Sequence, residues 1–369
     1  MEQSKQLIGI KEYIAIVILM IGTKLSDDTP AILFEQIKNA GWMAPIINGI
    51  IAIIPIYLLM KVVGNYKDKS LAEVTDHLFG KFFGFIILFT LLVVAFCATI
   101  VDTAIYTDII GTMYFTKTPT IIIYGILIVV CAYGARRGFE QIGSAAWTVF
   151  PYLQVSLLLA LILSIREGNT AFLFPLFGPG PWEIAKESSL RLSIYADFFY
   201  LFLFFPLIKS KKDFIKGTWL GLVFIVLNIA IFMTCFVFLF DYKTIMQLSY
   251  PYHEVIRTIS MGFLTNMETF FLPFWLIASF VRFSIYLYIN ALLIGHLFRI
   301  RHFEYLIPSL ATLIVFLGLI PESPTFTIFN LKEKILLIAT PLFFFLPVLM
   351  WVVAMFKGEF KHANKKKRK

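Results

Sequence analysis

A charged interruption breaks the first apolar segment of the sequence. Residues 14–22 are apolar, residues 23–30 read TKLSDDTP, and apolar residues then resume. Serine, two aspartates and a proline disfavour a continuous helix here, and backbone freed from a helix offers amides to a carboxylate and carbonyls to an amine. We therefore predict a broken helix that binds a small molecule. Its predicted binding residues are Gly22, Thr23, Lys24 and Asp27.

Lys24 lies about 14 residues into this segment, near the middle of a bilayer if the segment spans a membrane. An unpaired charge at that depth costs roughly 2.5–3.5 kcal/mol on insertion scales, so the ammonium needs an anionic partner. In the alternative interpretation the helix ends at Lys24, and SDDTP is an ordinary outer loop. The apolar run before Lys24 is only about 15 residues, which is short for a span and favours the broken helix.

A second candidate site lies within residues 188–208. Ser193, Asp197 and Tyr200 are separated by four and three residues and therefore share one face of a helix. Counted from the opposite end of its segment, Asp197 also falls near the middle of a bilayer. We interpret this aspartate as a binding residue; the alternative is a lone acid that a neighbouring hydroxyl satisfies.

The two segments are predicted to face each other. Residues 22–28 enter from one side of the membrane and residues 193–200 from the other, and an isolated charge at the centre is more costly than a paired one. We predict that both segments line one pocket, in which Lys24 balances Asp197 or a ligand carboxylate. The other residues predicted to line this pocket are Ser193, Tyr195, Tyr200 and Trp275.

A polar stripe follows residues 266–294. Its members are separated by seven, four, three, four and four residues, and these spacings keep them on one face of a helix whose other faces are apolar. They are Glu268, Trp275, Ser279, Arg282, Tyr286 and Asn290. Arg282 needs an acidic partner, and Asp102 is a further buried acid with Thr99 and Tyr106 on its face. A polar network that either couples an ion or joins helices is predicted for Asp102, Glu268, Ser279 and Arg282.

The composition indicates a protein whose solvent is lipid. Of its residues 59% are hydrophobic and only 15% are charged, with a mean hydropathy of +0.83, whereas a soluble domain carries roughly 25% charged residues. The cysteines and histidines lack the spacing of a metal site, and no nucleophile–base pair is visible. We expect an all-α polytopic membrane protein with one integral membrane domain over residues 1–369, no enzymatic activity, no metal and no cofactor.

Ten apolar segments approach the roughly 20 residues that a transmembrane helix needs. The predicted spans lie near 10–38 (interrupted), 43–62, 82–110, 119–134, 145–165, 188–208, 217–240, 266–294, 304–320 and 334–356. Spans one and six are broken, and they occupy corresponding positions in two halves of five spans. This 5+5 inverted-repeat, LeuT-like arrangement is typical of transporters whose ligand lies between broken helices near the membrane midplane. The repeat is inferred from position only.

The distribution of positive charge predicts the orientation. Most of the 32 lysine and arginine residues fall on the side of the N-terminus, which the positive-inside rule assigns to the cytoplasm. An even number of spans then places both termini in the cytoplasm. The basic tail, residues 357–369, is expected to meet anionic membrane lipid, and we expect no nucleic-acid partner.

Four short motifs occur in a characteristic order along the chain. They are Ile21-Gly22 followed by Pro30 and Trp42; Pro175-Leu-Phe-Gly178-Pro-Gly180; Phe205-Pro206 followed by Lys209, Lys211 and Lys212; and Met267-Glu268 followed by Trp275. In order and spacing they resemble the GerAB family of endospore germination proteins, within the amino acid–polyamine–organocation superfamily. The resemblance covers nearly the whole chain.

The chain departs from this family in both broken segments. The family often has a Gly/Leu-rich turn where this chain has residues 23–28. It also often has a glutamate about six residues before the proline of span six, where this chain has Tyr200 and places its acid at Asp197 instead. These departures leave the substrate open.

The resemblance implies the B subunit of a spore germinant receptor in the spore inner membrane. Such a subunit binds a small nutrient germinant, here expected to be an amino acid, and works with an A-type membrane subunit and a C-type lipoprotein. The alternative is a working proton- or ion-coupled amino-acid permease, whose site would look the same in the sequence.

Overall fold

The computed structural model describes residues 7–66, 69–259, 267–321, 323 and 326–360. Across these residues the regular structure is helical and includes no strand. In chain order the α-helices are α1 (Ile10–Gly22), α2 (Thr29–Ile37), α3 (Ala44–Val63), α4 (Leu71–Ile109), α5 (Thr120–Arg136), α6 (Phe139–Glu167), α7 (Pro181–Leu190), α8 (Asp197–Leu201), α9 (Lys211–Leu239), α10 (Tyr242–Ile245), α11 (Pro251–Thr258), α12 (Met267–Phe298), α13 (Ile307–Gly318) and α14 (Glu333–Phe356).

Several helical segments are long and apolar enough to cross a membrane. Among the described residues there are six, at Thr29–Val63, Leu71–Tyr114, Phe139–Glu167, Lys211–Leu239, Glu268–Phe298 and Asn330–Phe356, and a seventh if the pair Pro181–Leu190 and Leu192–Leu207, bent by 48°, is one span. Helix α5 and the segment Phe303–Gly318 are shorter apolar helices. The expected all-helical membrane protein is thus confirmed, while the ten-span inverted repeat stays a prediction.

Large apolar side chains cover much of the outer surface of these helices. Phe82, Val129 and Phe316 are 72%, 68% and 67% exposed. In water such a surface would favour aggregation, whereas lipid tails solvate it well. The exposed apolar surface therefore agrees with the membrane location that the composition indicates.

Helix α4 begins well before the predicted start of its span at residue 82. Ser70 and Glu73 form a reciprocal capping box at its N-terminus, an arrangement that satisfies free backbone amides. Gly80 then adopts a φ of 74°, which only glycine adopts without strain. Residues 71–79 therefore run in a different direction from the apolar part of α4.

Residues 71–79 connect two other ends of helices. The imidazole Nε2 of His296, near the end of α12, lies 2.8 Å from Asp76 Oδ2. His77 Nε2 lies 3.0 Å from Oε1 of Glu359, just beyond α14. This short N-terminal part of α4 therefore links α12 to the C-terminal end of the described chain.

The first apolar segment is broken, as predicted. Helix α1 ends at Gly22, the residues Thr23–Leu25 form a 3-10 turn, and α2 begins at Thr29. Asp27 Oδ1 accepts a hydrogen bond from the Thr29 amide at 2.8 Å, which satisfies one free donor of the new helix. The interruption is buried, with Asp27 and Asp28 fully so, and the outer-loop alternative is therefore wrong.

The sixth predicted span is also broken. Helix α7 ends at Leu190, a 3-10 turn covers Leu192–Tyr195, and the short helix α8 follows. The turn is held by α14, because Ser193 Oγ donates to the Leu336 carbonyl at 2.7 Å and the Ser193 amide donates to Thr340 Oγ1 at 3.1 Å. The bond from the Ser193 amide replaces an intrahelical bond lost at the break, and the bond from its hydroxyl adds a second contact to α14.

Helix α1 lies at the centre of the molecule and contacts α6, α9 and α12. It packs closely on α9, because Gly221 leaves no side chain between the two helices. A Cβ at Gly221 would come within 2.5 Å of Val17 Cγ1. Tyr13 adds a hydrogen bond to Thr218 Oγ1 at 2.8 Å. Small residues are what allow such close approach of helices in membranes.

Candidate functional site

The two helix breaks meet at an ion pair. Lys24 Nζ lies 2.6 Å from Asp197 Oδ2 and donates a hydrogen bond to the Ile194 carbonyl at 2.8 Å. Both charged residues are 6% exposed. The predicted pairing of Lys24 with Asp197 is therefore present in the structure, and a carbonyl freed by the second break completes the coordination of the ammonium.

A cavity of about 60 Å³ adjoins this ion pair. Its polar lining consists of Lys24, Asp102, Ser193, Asp197, Tyr200, Tyr286 and Lys332. The remaining wall is apolar and comes mainly from α4 and α14, with residues such as Val94 and Phe343. A cavity of this volume holds only a few water molecules, so the charged groups are enclosed with little free space.

Two aromatic residues of the predicted pocket lie in other places. The Tyr195 hydroxyl donates to the Pro45 carbonyl at 3.0 Å and is absent from the cavity wall. Trp275, together with Gly22 and Thr23, lines a separate cavity of about 30 Å³. The prediction of one common pocket therefore needs correction, because the break in the first segment presents its two sides to two different cavities.

A second charged cluster surrounds Arg282, which is fully buried. Arg282 Nη2 donates to Asp102 Oδ2 at 2.6 Å, and Nη1 lies 3.3 Å from Asp27 Oδ2. Nη1 also donates to the Tyr106 hydroxyl at 2.9 Å, and that hydroxyl donates to the Thr23 carbonyl at 2.8 Å. The acidic partners predicted for Arg282 are thus Asp102 and Asp27.

Lys332 belongs to the same cluster, although its position in the sequence gives no sign of this. Its Nζ lies 2.9 Å from Asp27 Oδ2 and 3.4 Å from Asp102 Oδ1, and it also contacts Asp28. The predicted final span begins at residue 334, whereas a π-helical turn over Thr327–Lys332 precedes α14 and carries the lysine into the interior. The sequence does hold a sign that a further cation is needed, because the two aspartates at the first break carry more negative charge than one arginine can balance.

Two residues of the predicted polar network, Glu268 and Ser279, form their contacts outside the Arg282 cluster. Glu268 lies outside the cluster, since its Oε2 contacts Arg257 Nε at 3.1 Å and its side chain is 26% exposed. Ser279 Oγ donates to the Trp275 carbonyl of its own helix at 2.7 Å. The observed network therefore retains Asp102 and Arg282 from the prediction and replaces the other two members.

Helix α11 closes one end of the first break. His253 Nε2 lies 3.1 Å from the Ser26 carbonyl, which can only accept, so this nitrogen carries the proton. Its Nδ1 then accepts from the Tyr114 hydroxyl at 2.9 Å. Burial lowers the pKa of His253 to about 3, and the imidazole is therefore neutral. Trp275 Nε1 donates to Ser26 Oγ at 2.8 Å and completes the contact.

The described residues contain no group of three or more histidine, cysteine, aspartate or glutamate side chains arranged to hold a metal ion. What the site offers is one ammonium and one carboxylate facing each other, beside a second cluster of buried charges. This arrangement is suited to a small molecule that carries charges of both signs.

Comparison with known proteins gives a consistent family assignment. The family model described as "Spore germination protein" matches residues 9–327. Over 378 residues the chain is 24% identical to spore germination protein KB of Bacillus subtilis (strain 168), with 98% of both chains covered. It is 19% identical over 331 residues to spore germination protein YndE of the same organism, covering 89% of this chain and 91% of YndE. The chain therefore belongs to the spore germination protein family.

Proposed function

We propose that this chain is the ligand-binding B subunit of a spore germinant receptor and that its ligand is a zwitterionic amino acid. Membership of the spore germination protein family supports the germination role. The observation that carries the ligand class is the 2.6 Å ion pair between Lys24 and Asp197, one from each helix break. A zwitterion carries the same two charges and complements both residues.

An amino acid would break the ion pair between Lys24 and Asp197 and form a new ion pair with each of the two residues. Its carboxylate would bind Lys24, and its ammonium would bind Asp197 together with the Ile194 carbonyl that Lys24 releases. Two ion pairs would then replace one, and no buried charge would be left without a partner. Breaking a buried pair without such a replacement costs several kcal/mol, so ligands that lack either charge are disfavoured.

The small cavity makes binding depend on movement. A volume of about 60 Å³ must widen before an amino acid enters, and the walls that can separate belong to α4 and α14. A ligand that fits only the wider state shifts the population towards that state. The apolar wall, which includes Phe199, Leu342 and Phe343, favours an apolar side chain.

The proposal also covers the membrane location, the topology and the partner subunits of this chain. We expect it in the spore inner membrane with ten spans in the 5+5 arrangement and with both termini in the cytoplasm. An A-type membrane subunit and a C-type lipoprotein are its expected partners. The family names of its relatives refer to germination only, so these partners follow from the resemblance described above.

A second candidate function is amino-acid transport coupled to an ion. The observation that favours it is the cluster of Asp27, Asp28, Asp102 and Lys332 beside the ligand cavity, since buried acid–base clusters of this kind serve as ion relays in transporters. Both candidates use the same binding residues and differ in whether solute crosses the membrane.

Binding to purified protein in lipid nanodiscs tests the proposed ligand class. Apolar amino acids are expected to bind, while their amides and their N-acetyl derivatives, each of which lacks one charge, are expected to bind at least tenfold more weakly. Equal affinity for the blocked derivatives would contradict the exchange with Lys24 and Asp197. Uptake of the bound amino acid into proteoliposomes would favour the transporter, and binding without uptake would favour the receptor subunit.

A further inference from the structure

The buried centre carries more negative than positive side chains. Its carboxylates are Asp27, Asp28, Asp102 and Asp197, and its cations are Lys24, Arg282 and Lys332, all of them at most 7% exposed. The two other buried basic side chains among the described residues do not change this balance: Arg191 pairs with Glu187 and Glu333 in a separate group, and His253 is neutral. With every carboxylate ionised, one buried negative charge would lack a counter-charge, which low-polarity surroundings strongly disfavour.

Asp197 and Asp102 each have a cation that lies nearer to them than to any other acid, and Asp27 has two cationic partners. Lys24 lies 2.6 Å from Asp197, and Arg282 donates to Asp102 at 2.6 Å. Asp27 contacts both Arg282 and Lys332. Each of these three carboxylates is therefore better supplied with cationic contacts than the fourth, Asp28.

Asp28 has the poorest surroundings for a negative charge. Within the described part of the chain, its Oδ1 has Lys332 as its one ionic partner, and this lysine also contacts Asp27 and Asp102. Its Oδ2 is buried and has no hydrogen-bond partner among the described residues. The other ionisable groups that face Asp28 are Asp27 on its own segment, Asp102 on α4 and Tyr250 before α11. Two acids and one shared lysine favour the neutral carboxylic acid at this position.

We propose that Asp28 is a proton-binding site and that it holds a proton at neutral pH, balancing the charge of the buried centre. A proton fits the geometry better than a metal ion does. A metal cation needs several oxygen ligands and room for them, whereas Asp28 is fully buried and lines neither of the two cavities at the first break.

Lys332 links this proton to the ligand cavity. Its side chain contacts Asp28 and also lines the cavity beside Lys24 and Asp197. An anionic group that draws Lys332 into the cavity leaves Asp28 facing acids alone and strengthens the hold of Asp28 on its proton. By thermodynamic reciprocity, the proton on Asp28 favours an anionic group in the cavity to the same extent.

Infrared spectroscopy of the ligand-free protein in nanodiscs tests the proton directly, without reference to any amino acid. A protonated carboxylic acid gives a carbonyl stretch that a carboxylate lacks. At neutral pH the difference spectrum between wild type and Asp28→Asn is expected to contain this band. Asp108→Asn is the matched control, because Asp108 is a half-buried acid of α4 outside the cluster, bonded to the Tyr250 hydroxyl; this variant is expected to keep the Asp28 band.

Two further variants test the charge balance in opposite directions. Asp102→Asn leaves three carboxylates against three cations, so the Asp28 band is expected to shift to lower pH and to be lost at neutral pH. Lys332→Met removes the cation of Asp28, so the band is expected to persist to higher pH. A wild-type spectrum without the Asp28 band at neutral pH overturns the proposal, and so does an Asp28-dependent rise in melting temperature on addition of Na⁺ or K⁺, which would indicate a metal ion instead.

Discussion

At the scale of single residues, the ammonium of Lys24 is held by two acceptors from one short segment, the Asp197 carboxylate and the Ile194 carbonyl. Such a lysine depends on its acid, because a buried ammonium that loses its only carboxylate partner among the described residues is strongly destabilised. The same dependence acts on Asp197, whose side chain is 8% exposed. The pair is therefore both a structural contact and the candidate ligand site.

The single substitutions Lys24→Met and Asp197→Asn are expected to destabilise the protein by about 3–5 kcal/mol each, because each leaves a buried charge unpaired. The double variant is expected to lose less than the sum of the two, since neither charge remains. Thermal unfolding in detergent measures stability, and amino-acid binding, which both singles should abolish, is measured in parallel.

Lys186→Met is the control for this pair. Lys186 forms ion pairs at the protein surface, 3.3 Å from Glu183 and from Glu187, where solvent screens the interaction. Its removal is expected to change stability little. If Lys24→Met is equally harmless and binds ligand as the wild type does, Lys24 has no part in the site.

The sequence allowed the Lys24–Asp197 pair to be predicted because both charges fall at the same depth when residues are counted along their segments. Lys332 escaped prediction because it precedes an apolar run and looks like an ordinary helix-flanking residue; only the turn over Thr327–Lys332 brings it inside. Trp275 lines the smaller cavity instead of the one beside Lys24 and Asp197, and Tyr195 bonds to the Pro45 carbonyl away from both. Helical periodicity gives the face of a residue but not which neighbouring helix that face meets.

At the scale of elements, the contact between α1 and α9 positions the first break. The part of α1 that leads into the break is almost entirely buried, and α9 approaches it over Gly221, where a Cβ would meet Val17 at 2.5 Å. A branched side chain such as valine has little freedom to move away. The position of Lys24 therefore depends on a glycine in another helix.

Gly221→Ala is expected to destabilise the protein by about 1–3 kcal/mol, because the added methyl group overpacks the interface, and to weaken ligand binding by displacing α1. Gly125→Ala in α5 is the matched control, since a Cβ there meets nothing within 4 Å. Alanine is favoured over glycine in a helix by up to about 1 kcal/mol, so this variant should be neutral or slightly more stable. Equal effects of both substitutions would show that the α1–α9 contact is not tight.

The two broken elements were predictable for a definite physical reason. Serine, aspartate and proline in one apolar segment conflict with a membrane helix, so the break between Gly22 and Thr29 could be located to within a few residues. The bonds from Ser193 to Leu336 and Thr340 were not predictable. They join segments more than 140 residues apart, and no local pattern in the sequence encodes which helix supports the second break.

At the scale of the whole molecule, orientation decides from which side a ligand reaches the site. The excess of lysine and arginine on the side of the N-terminus predicts cytoplasmic termini. Lys212, at the start of α9, and Asn169, just after α6, are both exposed and lie at opposite ends of their helices relative to the predicted membrane. They are suitable reporters of the topology.

Cysteines introduced by Lys212→Cys and Asn169→Cys are expected to react differently with a membrane-impermeant maleimide added outside intact cells. Asn169→Cys should be labelled, and Lys212→Cys should be labelled only after the membrane is permeabilised. The unsubstituted chain is the background control, because Cys131 and Cys235 are buried and Cys97 is partly buried. Labelling of Lys212→Cys in intact cells would reverse the orientation.

The contact between His77 and Glu359 joins the C-terminal end of α14 to the start of α4. Helix α14 lines the cavity beside Lys24 and Asp197 near its N-terminal end, and Glu359, just beyond its C-terminal end, contacts His77 in the first turns of α4. A ligand that displaces the N-terminal part of α14 is therefore expected to displace the first turns of α4 as well, through the contact between Glu359 and His77. Pro341 and Pro347 lie within α14, and because prolines are the usual positions of helix kinks, part of such a displacement is expected to bend α14 instead of reaching its far end.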